Sequence, residues 1–212
     1  MFYLRLNKLK ILNNREFIGK AEVKLISFVT LGDSDFPEIT DYLATNDVDE
    51  KKEILKSSVS KIVSSRVMPE IQKVKDNQVI YFGDTGYNLF VSETIPQDLN
   101  WMLLAIESDG KTRETTQIID SILTDEKITD IVEKFNDITK VSGATASMVT
   151  ALTSIVADTL IALFKEDKDD QIGLLLTSFI KQQHYPNGKR DKENIPDATG
   201  NMFTDYTIFG FE

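Results

Sequence analysis

The chain has no cysteine, one histidine and one tryptophan. Without cysteine there is no disulfide frame, no thiolate zinc site and no cysteine nucleophile, and the redox compartment is left open. Any catalysis that needs an imidazole would rest on His184 alone, and in the run KQQHYP that residue is expected at a strand end beside Pro186. Positive charge is also scarce. Lys and Arg total 24 against 34 Asp and Glu, a net charge of −10. Nucleic acid, whose phosphates need clustered cations, is therefore not an expected partner. An anionic membrane would repel such a surface unless a cation or a local basic patch intervened. There is no internal repeat and no low-complexity tract.

Met1 leads at once into FYLRLNKLKIL, where Phe2, Leu4 and Leu6 alternate with Tyr3, Arg5 and Asn7. That is an amphipathic strand. It lacks the basic start and unbroken apolar run of a signal peptide, so the expected location is cytoplasmic. The 212 residues are 41% apolar, enough for one core with an appended helical layer.

Residues 2–12 and 20–30 are predicted strands joined by a polar turn, and the acidic LGDSDFPEITD that follows is a loop. Val59, Ile62 and Val63 recur at helical spacing in 47–66, a helix ending before Pro69. Strands are expected at 78–83 and 88–95 across a DTGY turn, then at 99–107, 172–181 and 205–211, with 186–201 a long polar loop. Ile128, Ile131, Val132, Phe135 and Ile138 form the stripe of one helix, and 144–164 form a second with a single charge, Asp158. The expected fold is an antiparallel β-sandwich carrying a helical hairpin. Its sandwich comes from 1–36, 78–110 and 169–212, with helical inserts at 37–77 and 111–168 that leave from one end. The remainder without the inserts is close in size to one sandwich domain.

LFVSETIPQDLNWMLLAIESD followed by DDQIG resembles the second half of a C2 domain. In that family an aromatic-rich strand leads through a short turn to an apolar strand ending in spaced acids, and an Asp-x-Ile-Gly step opens the next strand. The matching positions are Glu107 and Asp109 before the loop, and Asp170 with Ile172 and Gly173 after it. SDFP at 34–37 is similar to the Ser-Asp-Pro-Tyr of the first C2 loop, which matches Asp35 to it. The resemblance covers about half the chain. Glu107 stands where the family usually carries Asp, Val29 stands where an upstream acid would partner Asp35, and a helical stretch splits the third loop.

The resemblance implies a recognition module that docks a membrane surface or a protein partner, with calcium as its candidate cofactor. Calcium takes about six to eight oxygen ligands, several of them carboxylates on a flexible loop. The expected ligand set is Asp33, Asp35, Glu107, Asp109, Asp169 and Asp170, with Glu38 and Asp167 nearby in sequence. The other reading of these acids is that an acidic protein has acidic loops, with DKDD a solvated helix end.

Residues 141–164 approach the length of a membrane span and carry many small side chains. Their Thr and Ser content favours a core helix, and a homo-oligomer contact is the alternative. Asp84-Thr85-Gly86 matches the aspartic-protease triplet, but a hairpin turn explains it without chemistry. GKT at 110–112 is no P-loop, since Ala105 stands where its first glycine belongs. Trp101 lies mid-strand and is expected in the core. No triad or paired-carboxylate constellation emerges. The expectation is a binding module rather than an enzyme, with a structural or assembly protein built on the helical hairpin as the rival.

Overall fold

The computed structural model describes residues 1–16, 19–32, 36, 38–67, 69–107, 115–140, 145–166 and 170–212. Ten strands among them form two antiparallel sheets. They are β1 (Phe2–Ile11), β2 (Ala21–Thr30), β3 (Arg66–Val67), β4 (Glu70–Val74), β5 (Gln78–Tyr81), β6 (Tyr87–Ser92), β7 (Asp98–Glu107), β8 (Asp170–Ile180), β9 (Gly188–Pro196) and β10 (Met202–Gly210). The first sheet runs β5–β1–β10–β9, with β6 also on β1. β5 pairs with the Lys8–Ile11 half of β1 and β6 with the Phe2–Leu6 half, so the two act as one interrupted strand. The second sheet runs β3–β2–β7–β8, with β4 likewise sharing β2.

The pattern of apolar residues explains this pairing. In β1, Phe2, Leu4 and Leu6 point inward, and so do Leu9 and Ile11. The phase slips by one residue between Leu6 and Leu9, and the register with β10 shifts there between Leu6 and Lys8. That slip is a β-bulge, and without it Leu9 and Ile11 would turn outward. β7 is buried from Leu99 to Glu107. Leu99, Trp101, Leu103 and Ala105 face the first sheet, while Met102, Leu104 and Ile106 face a helical layer. A strand covered on both faces reads as a continuous apolar run, which is what LNWMLLAI is.

The helices are α1 (Glu38–Ala44), α2 (Val48–Ser64), α3 (Thr115–Asp120), α4 (Asp125–Thr139), α5 (Thr145–Glu166) and the short α6 (Lys181–His184), with a 3₁₀ turn at Ser121–Leu123. Asp47 caps α2, its carboxylate accepting from the amides of Asp49 at 2.9 Å and Glu50 at 3.1 Å. α4 and α5 pack together as the expected hairpin, and α5 lies against β7 and β8. Met148, Leu152, Ile155, Val156 and Leu160 of α5 are buried, and Asp158 faces solvent. Thr153, Ser154 and Thr159 each donate to a carbonyl one turn back, at 2.8–3.0 Å. α5 contains an apolar stretch, Met148–Glu166, long enough to cross a membrane, and 67% of it is buried inside the protein. The architecture is an antiparallel sandwich with a helical third layer over its second sheet.

Three expectations change. Residues 186–201 are not a loop. They hold β9 and a tight turn, and β10 starts at Met202. β9 is an edge strand, exposed along most of its length, so GKRDKENIP carries no apolar alternation to betray it. The 37–77 stretch is not wholly helical, because β3 and β4 return to pair with β2. Finally, the inserts do not leave from one end. The first leaves after Thr30, opposite Asn100 at the start of β7, whereas the second leaves after Glu107 at the other end of that strand. Antiparallel neighbours place their exits at opposite ends. What the inserts share is the face of the second sheet that both cover.

Asp197 and Asn201 join the two sheets. Asp197 sits in the β9–β10 turn and is 7% exposed. Its carboxylate accepts from the amides of Leu174 (2.6 Å), Met202 (2.9 Å), Asn201 (3.0 Å) and Thr199 (3.2 Å), and from the Thr199 hydroxyl (2.6 Å). The Asn201 amide donates to the carbonyls of Asn13 and Ile172, both at 2.8 Å. Gly173 is needed beside this turn, since a Cβ there would lie 2.7 Å from that of Met202.

Candidate functional site

Of the expected calcium ligands, the structure brings Glu107 and Asp170 together. They are cross-strand partners where β7 ends and β8 begins. Glu107 is buried and Asp170 exposed. Asp33, Asp35, Asp109 and Asp169 lie outside the described residues, as does Asp167. Gly32, which precedes Asp33, donates its amide to Asp98 at 2.8 Å, and the amide of Phe36 donates to the Gly32 carbonyl at 3.1 Å. That is the far end of β7 from Glu107. The ten residues of β7, at about 3.3 Å rise each, span roughly 30 Å. Glu38 is engaged elsewhere. Lys61 Nζ lies 2.5 Å from its carboxylate and holds its pKa below the usual range. Among the described residues no group of three His, Asp or Glu is placed to hold a metal ion.

A different surface is more elaborately built. Helices cover most of the second sheet, leaving Leu176 and Ile180 of β8 exposed, and the outer face of the first sheet is open. Its outward positions are Tyr3, Arg5, Lys8 and Lys10 on β1, then Phe203, Asp205, Thr207 and Phe209 on β10. β9 adds Lys189, Asp191 and Glu193, and β5 adds Val79 and Tyr81. A groove of about 470 Å³ runs across this face beside the Asp84-Thr85-Gly86 turn.

The floor of the groove is a hydrogen-bonded row. Asn7 Nδ2 donates to Thr207 Oγ1 at 2.7 Å, and Thr207 in turn donates to Asp191 Oδ1 at 2.5 Å. Lys189 Nζ is 3.0 Å from the other oxygen of Asp191. The Thr207 bond and then the Lys189 ammonium hold the Asp191 carboxyl below its usual range, against partial desolvation. One row over, Lys8 Nζ lies 2.6 Å from Asp205 Oδ2, and this bond raises the pKa of the lysine. Asp205 also accepts from the amide of Asn194 at 2.7 Å, a residue at φ 53° where β9 bulges. Bulges on β1 and β9 thus flank one site.

Arg5 borders the groove. Its Nε donates to Asn88 Oδ1 at 2.6 Å, and its guanidinium carbon sits 4.0 Å from the centre of the Tyr3 ring. Tyr3 and Phe209 stack at 4.9 Å with an 8° tilt. The Asp84-Thr85-Gly86 triplet is a turn, as expected. Gly86 has φ 77°, and a Cβ there would meet Asn7 Oδ1 at 2.5 Å. His184 accepts from the amide of Ile180 at 2.9 Å, at the strand end. Trp101 is in the core and donates to Ser27 Oγ at 3.1 Å.

Sequence reasoning missed this face because Tyr3, Arg5 and Asn7 read as the wet half of an amphipathic strand. The available signal was aromatic residues in the polar phase: Tyr3, Tyr81, Phe203 and Phe209. No family model, no curated protein and no solved structure matches this chain.

Proposed function

We propose that this chain is a non-catalytic binding module of the C2-like kind, docking a protein partner through the open face of its first sheet. The observation that carries the reading is the asymmetry of cover. Helices cover most of one sheet, while the other carries more of the exposed apolar side chains. Among the described residues, Met1, Val79, Tyr81, Tyr87, Val91 and Phe211 are exposed on or beside the strands of the first sheet. Tyr, Phe, Met and Arg are the types enriched at the cores of protein interfaces. The net charge of −10 favours a protein over an anionic membrane surface as the partner. Burial of α5 argues against the hairpin as the contact surface.

A photo-cross-linking residue at Tyr81, introduced in cells that produce the protein, should give a discrete adduct. The same residue at Glu53, exposed on the helical layer, should not. Equal yields from the two positions would remove the reading.

Calcium assistance is a second reading, favoured by one observation. Glu107 and Asp170 are cross-strand partners where β7 ends and β8 begins, so two carboxylates, a ligand type that calcium takes, stand side by side there. A cation held there would draw on both carboxylates. Binding to the native state alone adds about 2.7 kcal/mol at a hundredfold excess over Kd. The melting temperature should therefore rise in millimolar calcium relative to chelator, and Asp170→Asn should abolish the rise. Identical melting in both solutions would rule calcium out.

A further inference from the structure

We infer that the open face of the first sheet docks a second copy of this chain, the two copies related by a two-fold axis that runs parallel to the strands between β1 and β10. The inference rests on the docking reading above and names its partner. It follows from how charge and ring systems are distributed over the face.

Apart from Lys189 on β9, the cations and the carboxylates of this face stand in separate columns. Arg5, Lys8 and Lys10 line β1, while Asp205 on β10 and Asp191 and Glu193 on β9 line the other side. A two-fold axis lying in the plane of contact keeps each residue in its row and exchanges the columns. β1 then covers β10 of the second copy, and β5 with β6 covers its β9. Such an interface is isologous, so every match occurs twice.

The rows can be followed one at a time. Tyr3 and Phe209 share a row, so each stacked pair meets the reversed pair of the other copy and four rings gather. Arg5 and Thr207 share the next row. It brings the Arg5 guanidinium over the Thr207 hydroxyl, which already donates to Asp191. Lys8 shares a row with both Asp205 and Tyr81. There Lys8 meets Asp205 of the second copy, so two ion pairs become a four-membered alternating network. Tyr81, 73% exposed, reaches the β9 column near Glu193. An ordinary sheet face turned to water has no reason to stack Tyr3 on Phe209 and to gather Arg5, Lys8 and Lys10 on one strand opposite Asp205.

The area is of the right order. Four columns at about 4.8 Å, each a strand of about nine residues at about 3.3 Å, give roughly 600 Å² of flat face, against about 800 Å² per partner in a standard interface. Repulsion between two chains of charge −10 is largely screened beyond about 8 Å at physiological salt.

Sedimentation velocity tests this on the full chain, from about 1 µM to about 100 µM, a range that weak interfaces of standard size occupy. The expected result is a monomer–dimer equilibrium. Tyr81→Glu should weaken it by about tenfold or more, as expected of an anchor replaced by a charge, with the circular dichroism spectrum and melting of the parent. Leu43→Glu, on the helical layer and 47% exposed, should leave it unchanged. A chain that stays monomeric throughout, or a dimer broken by Leu43→Glu and not by Tyr81→Glu, overturns the inference. A monomer whose Tyr81 position still cross-links in cells to an adduct of non-doubled mass overturns the second copy while the docking reading stands. A monomer without any such adduct removes both.

Discussion

Replacing Leu152 with Asp should destabilise the protein by about 4 kcal/mol or more, the range reached when an unpaired charge replaces a fully buried aliphatic side chain. Leu152 is 0% exposed and lies in the core that α5 shares with the second sheet. Two costs combine. The aliphatic contacts and transfer term are lost, worth about 2–5 kcal/mol for Leu→Ala alone. A carboxylate then enters the apolar cluster that also holds Met102 and Leu104. In a domain of this size each kcal/mol shifts the melting temperature by about 2–4 °C, so the variant should melt at least about 8 °C below the parent. Thermal unfolding followed by circular dichroism measures it. If Leu152→Asp melted like the parent but lost self-association, α5 would be an exposed contact surface. The sheet face would then lose its claim.

The second large effect belongs to Asp197. Replacement by Ala removes the acceptor for four amides and one hydroxyl at the point where the β9–β10 turn meets β8. Each buried donor left unsatisfied costs about 1–3 kcal/mol, and charge-assisted bonds lie at the upper end. Relaxation and water entry recover part of this, which leaves an expected loss of about 3–5 kcal/mol. Asp197→Asn should lie between Ala and the parent, because one amide oxygen still accepts while the NH₂ group faces other donors. Denaturant titration of the three proteins orders them. Equal midpoints for parent and Asp197→Ala would mean that the turn is not what joins the sheets.

The parts of the fold visible in the sequence are those where burial imposes a pattern. β7, covered on both faces, reads as an unbroken apolar run, and α4 shows its stripe because only one side of it is buried. α5 was legible as a core helix from the single charge in 144–164, Asp158, and from hydroxyls that a helix can satisfy internally. β9 was illegible because an edge strand exposed to water carries charges that a loop also carries. The bulge in β1 was written in the three-residue step from Leu6 to Leu9, a signal the alternation argument passed over.

The candidate site divides along the same line. Side-chain types mark acidic loops at once, but they do not say at which end of a sheet a loop emerges, and that depends on pairing between distant strands. The Thr30 exit faces Asn100 while the Glu107 exit faces Val23, so acids that look equivalent in sequence belong to opposite ends of one strand pair. The open face depends on four strands drawn from both ends of the chain. Its column of cations and column of carboxylates come into view only once β1 lies beside β10.

The most direct measurement of which surface is used is oxidative footprinting by hydroxyl radicals, comparing the protein inside producing cells with dilute purified protein. If the first sheet is the docking face, Tyr81, Val91 and Phe211 will be oxidised less in cells, while Leu43 and Val48 on the helical layer will react equally in both states. Protection of Leu43 and Val48 with Tyr81 and Phe211 fully reactive would contradict the account.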